Sequence, residues 1–431
     1  MVGGRTDVTH LIGIGGVGMS ALAQALLDRG CAVSGADRQI TDASAPPPTP
    51  VLRALAAQGV ALFPDDGSGV DGKTARVIVS TAIEETNAGL CRAHAAGIPV
   101  VHRAAALAEA LSGRRLVAVA GTCGKSTVTA ILGHVLVSCG FDPVVVNGAQ
   151  IAGWDVNGAR VGSVRKGTGA YAVAEVDESD KSLTAFKPYA AIITNASADH
   201  YSKEEMDAVF DAFIRDVPGP VVDGRVADGA AEGAVGSFPM PGAHNRANAR
   251  LALEMAIALG ADPARAAAAL ASFPGVERRL QRIGSTLCGG REVAVYDDYA
   301  HNPEKLHAMW TTLAEAYPRG VAVVWRPHGY GPLRKMLEPL AAAFRDVMRP
   351  QDALVLPPVY DAGGTADRSV NSDALAARLA DAPGTVVLVP DLDGAEAYLR
   401  ARADAFGAIV TAGARDPGLP VLARRLAGKE R

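Results

Sequence analysis

Two glycine-rich turns carry the most legible chemistry in this chain of 431 residues. The later one, Gly121-Thr122-Cys123-Gly124-Lys125-Ser126-Thr127, follows the apolar run Leu116–Ala120. A strand, a glycine turn and a helix start aim backbone N–H groups and a helix N-terminus at one point, which suits phosphate oxygens. Lys125 would neutralise the outer phosphates of a nucleotide, and the Ser126 hydroxyl would reach Mg2+. The spacing is G-T-x-G-K-S-T, because Val119 stands where the usual phosphate loop has its first glycine. The bland alternative is a solvated lysine at a helix start, a place where Asp or Ser would serve the helix better.

The earlier turn places Gly13, Gly15, Gly16 and Gly18 between the strand-like His10–Ile14 and a helix that begins around Met19 and Ser20. Asp37 closes the next strand, where a ribose hydroxyl would lie in a dinucleotide site. Glycines are needed in any tight strand-to-helix turn, so this signal is the weaker one. A dehydrogenase needs only the first turn, and a switch nucleotidase only the second. A ligase that couples ATP to a nucleotide-bearing substrate needs both.

Acidic and imidazole side chains follow other strands. Glu175-Val176-Asp177-Glu178-Ser179-Asp180 ends one, and Thr194-Asn195 leads to Asp199-His200 after another. Ser126, Glu175 and His200 together would suit Mg2+; Glu178 and Asp180 read equally well as a solvated loop. Further on, His244, Asn245 and Asn248 open a helix where amide and imidazole groups could hold a purine, with helix capping by Asn245 as competitor. Arg278-Arg279 and Asp297-Asp298-Tyr299-Ala300-His301 bring guanidinium and carboxylate groups to the last third of the chain.

These residues need a scaffold of alternating strands and helices. Short runs of Val, Ile and Ala (Ala32–Gly35, Val77–Ser80, Tyr171–Val176, Ala191–Thr194, Val293–Tyr296, Val321–Trp325, Ala353–Leu356, Val386–Val389, Ala408–Thr411) suit parallel strands covered on both faces. The helix expected over Thr127–Cys139 places Val128, Ile131, Leu132, Val135 and Leu136 on one face. The reading is an α/β chain of three domains: an N-terminal Rossmann-like domain over 1–112, a central ATP-binding domain over 113–285, and a C-terminal domain over 286–431. The second boundary rests on a break at Gly284–Gly290, and Pro218–Gly236 reads as loop or weak hairpins.

Composition narrows the class. Forty-two basic and 46 acidic residues give a net charge of −4, which excludes the cationic footprint of a nucleic-acid binder. No run is apolar enough to span a bilayer, and nothing at the N-terminus looks like a signal peptide. Five scattered cysteines without C-x-x-C spacing fit a reducing cytoplasm.

Taken in order, these motifs resemble the Mur ligases across nearly the whole chain. The match adds Ser80-Thr81-Ala82-Ile83, Ile98-Pro99-Val100-Val101-His102-Arg103 and Arg326-Pro327-His328. The resemblance implies an ATP- and Mg2+-dependent ligase that joins the carboxylate of a UDP-sugar acid, UDP-N-acetylmuramate, to an amino acid, L-alanine in the nearest branch. It would act in peptidoglycan precursor synthesis as a monomer or homodimer. Carried over by position, the first turn with Asp37, His102 and Arg103 would hold the UDP-sugar. Lys125 and Arg279 would meet ATP phosphates, Asp298 its ribose, and His301 and His328 the acyl or amino-acid side. His301 is the candidate proton acceptor. Arg215 stands where several relatives carry a carbamylated lysine, so no carbamate is expected. The chain departs from the family pattern at Cys123, Ala300, Asn302 and Gly329, and the stretch between His200 and His244 is about half the length expected from the resemblance. A ligase for another amine, an NAD-linked oxidoreductase or a non-catalytic relative stay open as alternatives.

Overall fold

The computed structural model describes residues 7–155, 158–177, 182–196, 203–226, 235–236, 238–288, 290–361 and 367–429. They form three sheets in two compact units. The first unit comprises 1–239 and 245–276 and carries two sheets; the second comprises 240–244 and 277–431.

In the first sheet, β1 (Val8–Ile12), β2 (Val33–Asp37), β3 (Ala61–Pro64), β4 (Thr74–Val79) and β5 (Val100–His102) lie in the order β3-β2-β1-β4-β5. Every pairing is parallel. The order reverses direction at β1, so the glycine turn that follows β1 sits at the switch point, where open α/β sheets bind their ligands. The second sheet contains β6 (Arg115–Ala120), β7 (Val144–Val146), β8 (Val164–Arg165), β9 (Tyr171–Glu175), β10 (Ala190–Ile193) and β11 (Val221–Asp223). Its order is β11-β10-β6-β9-β7-β8, with only β8 antiparallel to its neighbour β7. Val117, Ala118, Val119 and Ala120 of β6 are wholly buried, as expected of a central strand sandwiched between helices.

The first two sheets are fastened together. Gln24, on the helix Val17–Asp28, accepts the Val161 N–H at 3.2 Å, and Asp28 at that helix's end pairs with Arg160 at 2.5 Å.

The third sheet holds β12 (Gln281–Cys288), β13 (Arg291–Asp298), β14 (Val321–Trp325), β15 (Ala353–Leu356), β16 (Thr385–Leu388) and β17 (Ala408–Ala412), ordered β12-β13-β17-β14-β15-β16. β12 is antiparallel to β13 and the rest are parallel. Two expectations change here. Gly284–Cys288 is not a break but part of β12, paired antiparallel with β13, while 289 lies outside the described residues, and the compact units divide at Val276/Glu277. Within Pro218–Gly236, Val221–Asp223 is a strand parallel to β10, while 227–234 lie outside the described residues. Both were hidden because β12 carries polar residues and β11 is only three residues long, too short for a periodic signal.

At the foot of the third sheet Asp352 is buried and gathers five donors. Its carboxylate accepts the Val321 N–H at 2.9 Å and the Trp310 indole N–H at 3.0 Å. It also accepts the Arg349 N–H at 3.0 Å and pairs with the Arg349 guanidinium through Nε at 3.1 Å and Nη2 at 2.9 Å. Burial alone would raise its pKa, but these donors outweigh burial and hold it below the ordinary carboxylate value. Replacing Asp352 with Ala removes the carboxylate partner of the partly exposed Arg349 guanidinium and leaves the buried Trp310 indole N–H without its acceptor, a loss of about 1–3 kcal/mol. Urea unfolding of the Asp352→Ala variant, followed by tryptophan fluorescence, should therefore show a clearly lowered midpoint; an unchanged one would show that the five contacts add nothing net.

Candidate functional site

The first glycine turn is held by an acid. The Gly15 N–H donates to Asp37 at 2.8 Å, and the Gln39 N–H donates to its other oxygen at 3.0 Å. The buried Asp37 carboxylate is thus engaged with backbone and shapes the turn. Gly13 turns with φ +75°, and the Gly16 N–H closes back on the Gly13 carbonyl at 3.0 Å. Met19 and Ser20 point into the core, where the Ser20 hydroxyl donates to the Val17 carbonyl at 3.0 Å. A side chain on Gly18 would run into the Arg103 guanidinium, which therefore lies against this turn. Arg103 opens a helix capped by His102, whose Nδ1 accepts the Ala104 N–H at 3.3 Å. That assignment leaves the imidazole proton on Nε2. Across to the second sheet, Arg103 lies 3.7 Å from Asp177, in the segment that follows β9.

The second glycine turn is more tightly built. The helix Lys125–Ser138 starts from Gly124, whose φ of +86° is left-handed, and Gly121 has φ +126°. Close approach also demands glycine at both places: a Cβ on Gly124 would lie 2.5 Å from Asn248 Oδ1, and one on Gly121 would strike the Thr194 hydroxyl. Asn195 clamps the turn from the end of β10. Its Oδ1 accepts the Cys123 N–H at 2.9 Å and its Nδ2 donates to the Cys123 carbonyl at 3.0 Å, while the Thr194 hydroxyl reaches the same carbonyl at 2.6 Å. Thr122, Ser126 and Thr127 are buried, and the Lys125 ammonium folds over the turn to the Gly121 carbonyl at 2.6 Å. An ammonium resting on carbonyls of its own loop can turn outward to an anion without crossing the protein. Asn245 and Asn248 are buried and belong to this unit, while His244 groups with the second unit.

Glu175 ends β9 in register with Val119 of β6, so it stands beside the strand that feeds the second turn. It accepts the Gly148 N–H at 2.8 Å. Glu178, Asp180 and His200 lie outside the described residues, and among the described residues no three acidic, imidazole or thiol groups form a metal cluster. The donor set fits a hard cation only as far as it is described: the Ser126 hydroxyl and the Glu175 carboxylate are oxygen ligands.

In the second unit, Arg278 and Leu280 adopt left-handed φ values of +57° and +42°, an uncommon conformation for residues with side chains. The bend is fixed by neighbouring acids. Asp297 accepts from Arg278 Nε at 3.0 Å and from the Thr411 hydroxyl at 2.7 Å. Asp298 accepts the Leu280 N–H at 2.6 Å and the Ala300 N–H at 2.7 Å. Burial pushes Asp298 up to about 6 against the pull of Arg279 and these donors. Because both of its oxygens accept backbone N–H groups, Asp298 tethers this bend. The Arg278 and Arg279 guanidinium groups lie 5.1 and 5.6 Å from the centre of the Tyr299 ring.

The His301 Nδ1 is 2.9 Å from the Tyr299 carbonyl, which can only accept, so the proton sits on Nδ1 and Nε2 keeps its lone pair. The ring packs edge-on to His328 with centres 5.0 Å apart. Burial, with help from neighbouring cations, lowers both imidazoles to about 4.

Sequence reasoning assigned no role to Asn195, Thr194 or Gly148. Asn195 was visible beside a strand end, but nothing in its spacing said which loop it would clamp.

The family description "Mur ligase family, catalytic domain" matches residues 8–115, and "Mur ligase, glutamate ligase domain" matches 278–415. A UDP-N-acetylmuramate–L-alanine ligase of Arthrobacter is 34% identical, aligned over 89% of this chain and 87% of the relative. One from Nocardioides is 35% identical over 95% and 94%. The UDP-N-acetylmuramate-alanine ligase structure from Thermotoga maritima superposes with a TM-score of 0.76 at 24% identity, covering 98% of both chains. A murein peptide ligase from Psychrobacter arcticus gives 0.64 at 19%, also covering 98% of both.

The two depressed imidazoles predict a pH effect. A histidine whose folded value of about 4 lies below its ordinary 6.5 adds stability that is complete above 6.5 and is lost as pH falls through about 4. Melting temperature should thus decline over that window, and His301→Gln and His328→Gln should each flatten the decline. An unaltered slope in both variants would assign the titration to other groups, such as the buried His10, which is also lowered to about 4.

Proposed function

The chain belongs to the Mur ligase family, and we propose that it joins UDP-N-acetylmuramate to an amino acid, L-alanine first among them, at the expense of ATP in peptidoglycan precursor synthesis. The observation that carries this reading is the pair of built glycine turns in one compact unit, each at the end of a central parallel strand and each locked by a polar side chain. In this reading the turn at Gly13–Gly18, with Arg103 against it, grips the sugar nucleotide. The turn at Gly121–Thr127 grips ATP, with Asn245 and Asn248 toward its base.

The domain reading goes with it. The two sheets of the first unit act as a UDP-sugar domain up to 112 and an ATP domain from 113, and the third sheet forms the amino-acid domain.

The chemistry is a carboxylate attacking the terminal phosphoryl group of ATP, with ADP leaving, to give an acyl phosphate; the amine then attacks its acyl carbon and expels phosphate to form the amide. Its first difficulty is electrostatic. Like charges 4 Å apart repel by ~4 kcal/mol at an effective dielectric of about 20, and several such pairs form at once. Lys125 moving from the Gly121 carbonyl to phosphate and the N–H groups at the start of its helix offset that repulsion. Mg2+, held by Ser126, Glu175 and His200, would supply further charge neutralisation. His301 offers Nε2 to an N–H of the incoming amine, although with a value of about 4 it is a weak base, better suited to orient the amine than to deprotonate it. A cytoplasmic setting follows from the substrates this reading assigns; no helix among the described residues is long and apolar enough to cross a membrane.

Phosphate release measured with Mg-ATP, UDP-N-acetylmuramate and single amino acids tests the reading. Release should require all three components, and Lys125→Ala should abolish it while UDP-N-acetylmuramate still binds, as measured by calorimetry. Turnover retained in that variant would remove the second turn from the reaction; release with no amino acid in wild type would reject the proposed function.

A further inference from the structure

Three neighbouring strands of the third sheet end level with one another. Asp298 of β13 pairs in register with Ala412 of β17, and Ala412 pairs with Trp325 of β14. The third residue beyond each of those ends is His301, Arg415 and His328. The sheet thereby presents two imidazoles and one guanidinium at the carboxyl edge of its three central adjacent strands, the place where open α/β sheets bind small molecules.

Arg415 stands out within that set. Its φ of +67° is one of few left-handed values held by residues with side chains, and such strain collects at functional positions. It is exposed, and its charge is felt by His328. The adjacent carboxylate does not neutralise it, because the buried Asp416 is committed to Arg326 at 2.7 Å and to the Gly418 N–H at 2.8 Å. Among the described residues no carboxylate pairs with Arg415. Lys305 adds a second positive charge near both imidazoles. Beside them, Gly329 contributes no side chain, and the nearest atom to an added Cβ is Pro332 Cδ at 3.5 Å.

We infer that Arg415 anchors the carboxylate of the amino-acid substrate, with His301 Nε2 accepting from its amine, and so determines that the amine must come from a free α-amino acid. A guanidinium and an imidazole lone pair just beyond the level ends of adjacent strands match a molecule carrying both an anion and an N–H donor. A ligand bearing only negative charge would face the lone pair of His301 unfavourably, which disfavours phosphate in this role. The inference rests on the proposed ligase reading, which supplies the amine-bearing substrate.

Two measurements test it on the full-length protein. Histidine-selective NMR, with Mg-ATP present, follows the His301 and His328 ring protons, assigned through their Gln variants, as L-alanine or L-alaninamide is added. L-Alanine should shift both in wild type, L-alaninamide should not, Arg415→Ala should lose the response and Arg415→Lys should retain part of it. In phosphate-release kinetics, Arg415→Ala should raise the KM for L-alanine about 10- to 100-fold, the range of a charge-assisted hydrogen bond, with the KM values for ATP and UDP-N-acetylmuramate nearly unchanged. Equal responses of Arg415→Ala and wild type, equal responses to alanine and its amide, or no response to alanine in wild type would each overturn the assignment of Arg415. A wild-type NMR response without phosphate release would instead reject the ligase reading while keeping the anchor.

Discussion

A loop that is to meet an anion must hold its shape beforehand, and that requirement shapes both glycine turns. The chain must bend sharply between a buried strand and a helix, and side chains there would strike packed neighbours such as Thr194 and Asn248. At the second turn the solution is complete: left-handed Gly124, Gly121 pressed against Thr194, and Asn195 bonding both the N–H and the carbonyl of Cys123. Rigidity at that point lowers the reorganisation needed when charge arrives, which is the basis of electrostatic preorganisation. Family membership and the geometry of this turn support one another, since neither depends on the other.

Much of this was legible in the sequence, for identifiable reasons. Val321–Trp325 and Ala353–Leu356 are strands over the very residues expected, because fully buried parallel strands read as uninterrupted apolar runs. Lys125 and the glycines declared themselves through their order alone. What stayed hidden was tertiary. Asp37 and Asp298 looked like ligand contacts, but carboxylates at strand ends also serve to bind backbone N–H groups, and spacing cannot tell these roles apart. Arg415 carries no motif; it gains meaning only when β17 falls between β13 and β14, an adjacency made by residues far apart in the chain.

Buried acids divide the third sheet into two ends of different character. Asp352, at the foot of the sheet, is surrounded by donors and held below its ordinary value. Asp298, at the carboxyl edge, is raised to about 6 although Arg279 lies near. The first arrangement fastens helices to strands; the second holds a strained bend, Arg278–Leu280, at the edge where chemistry would occur. Stability and reactivity are thus assigned to opposite edges of one sheet.

The fastening of the helix Val17–Asp28 to the second sheet by Gln24, Asp28 and Arg160 has a consequence for substrate choice. That helix begins at the first glycine turn, so in the proposed reaction the span between the two glycine turns is a fixed gauge set by folding and not by whatever binds. Molecules whose carboxylate lies at the wrong reach from their diphosphate would be rejected by length alone, before any group on the sugar is read.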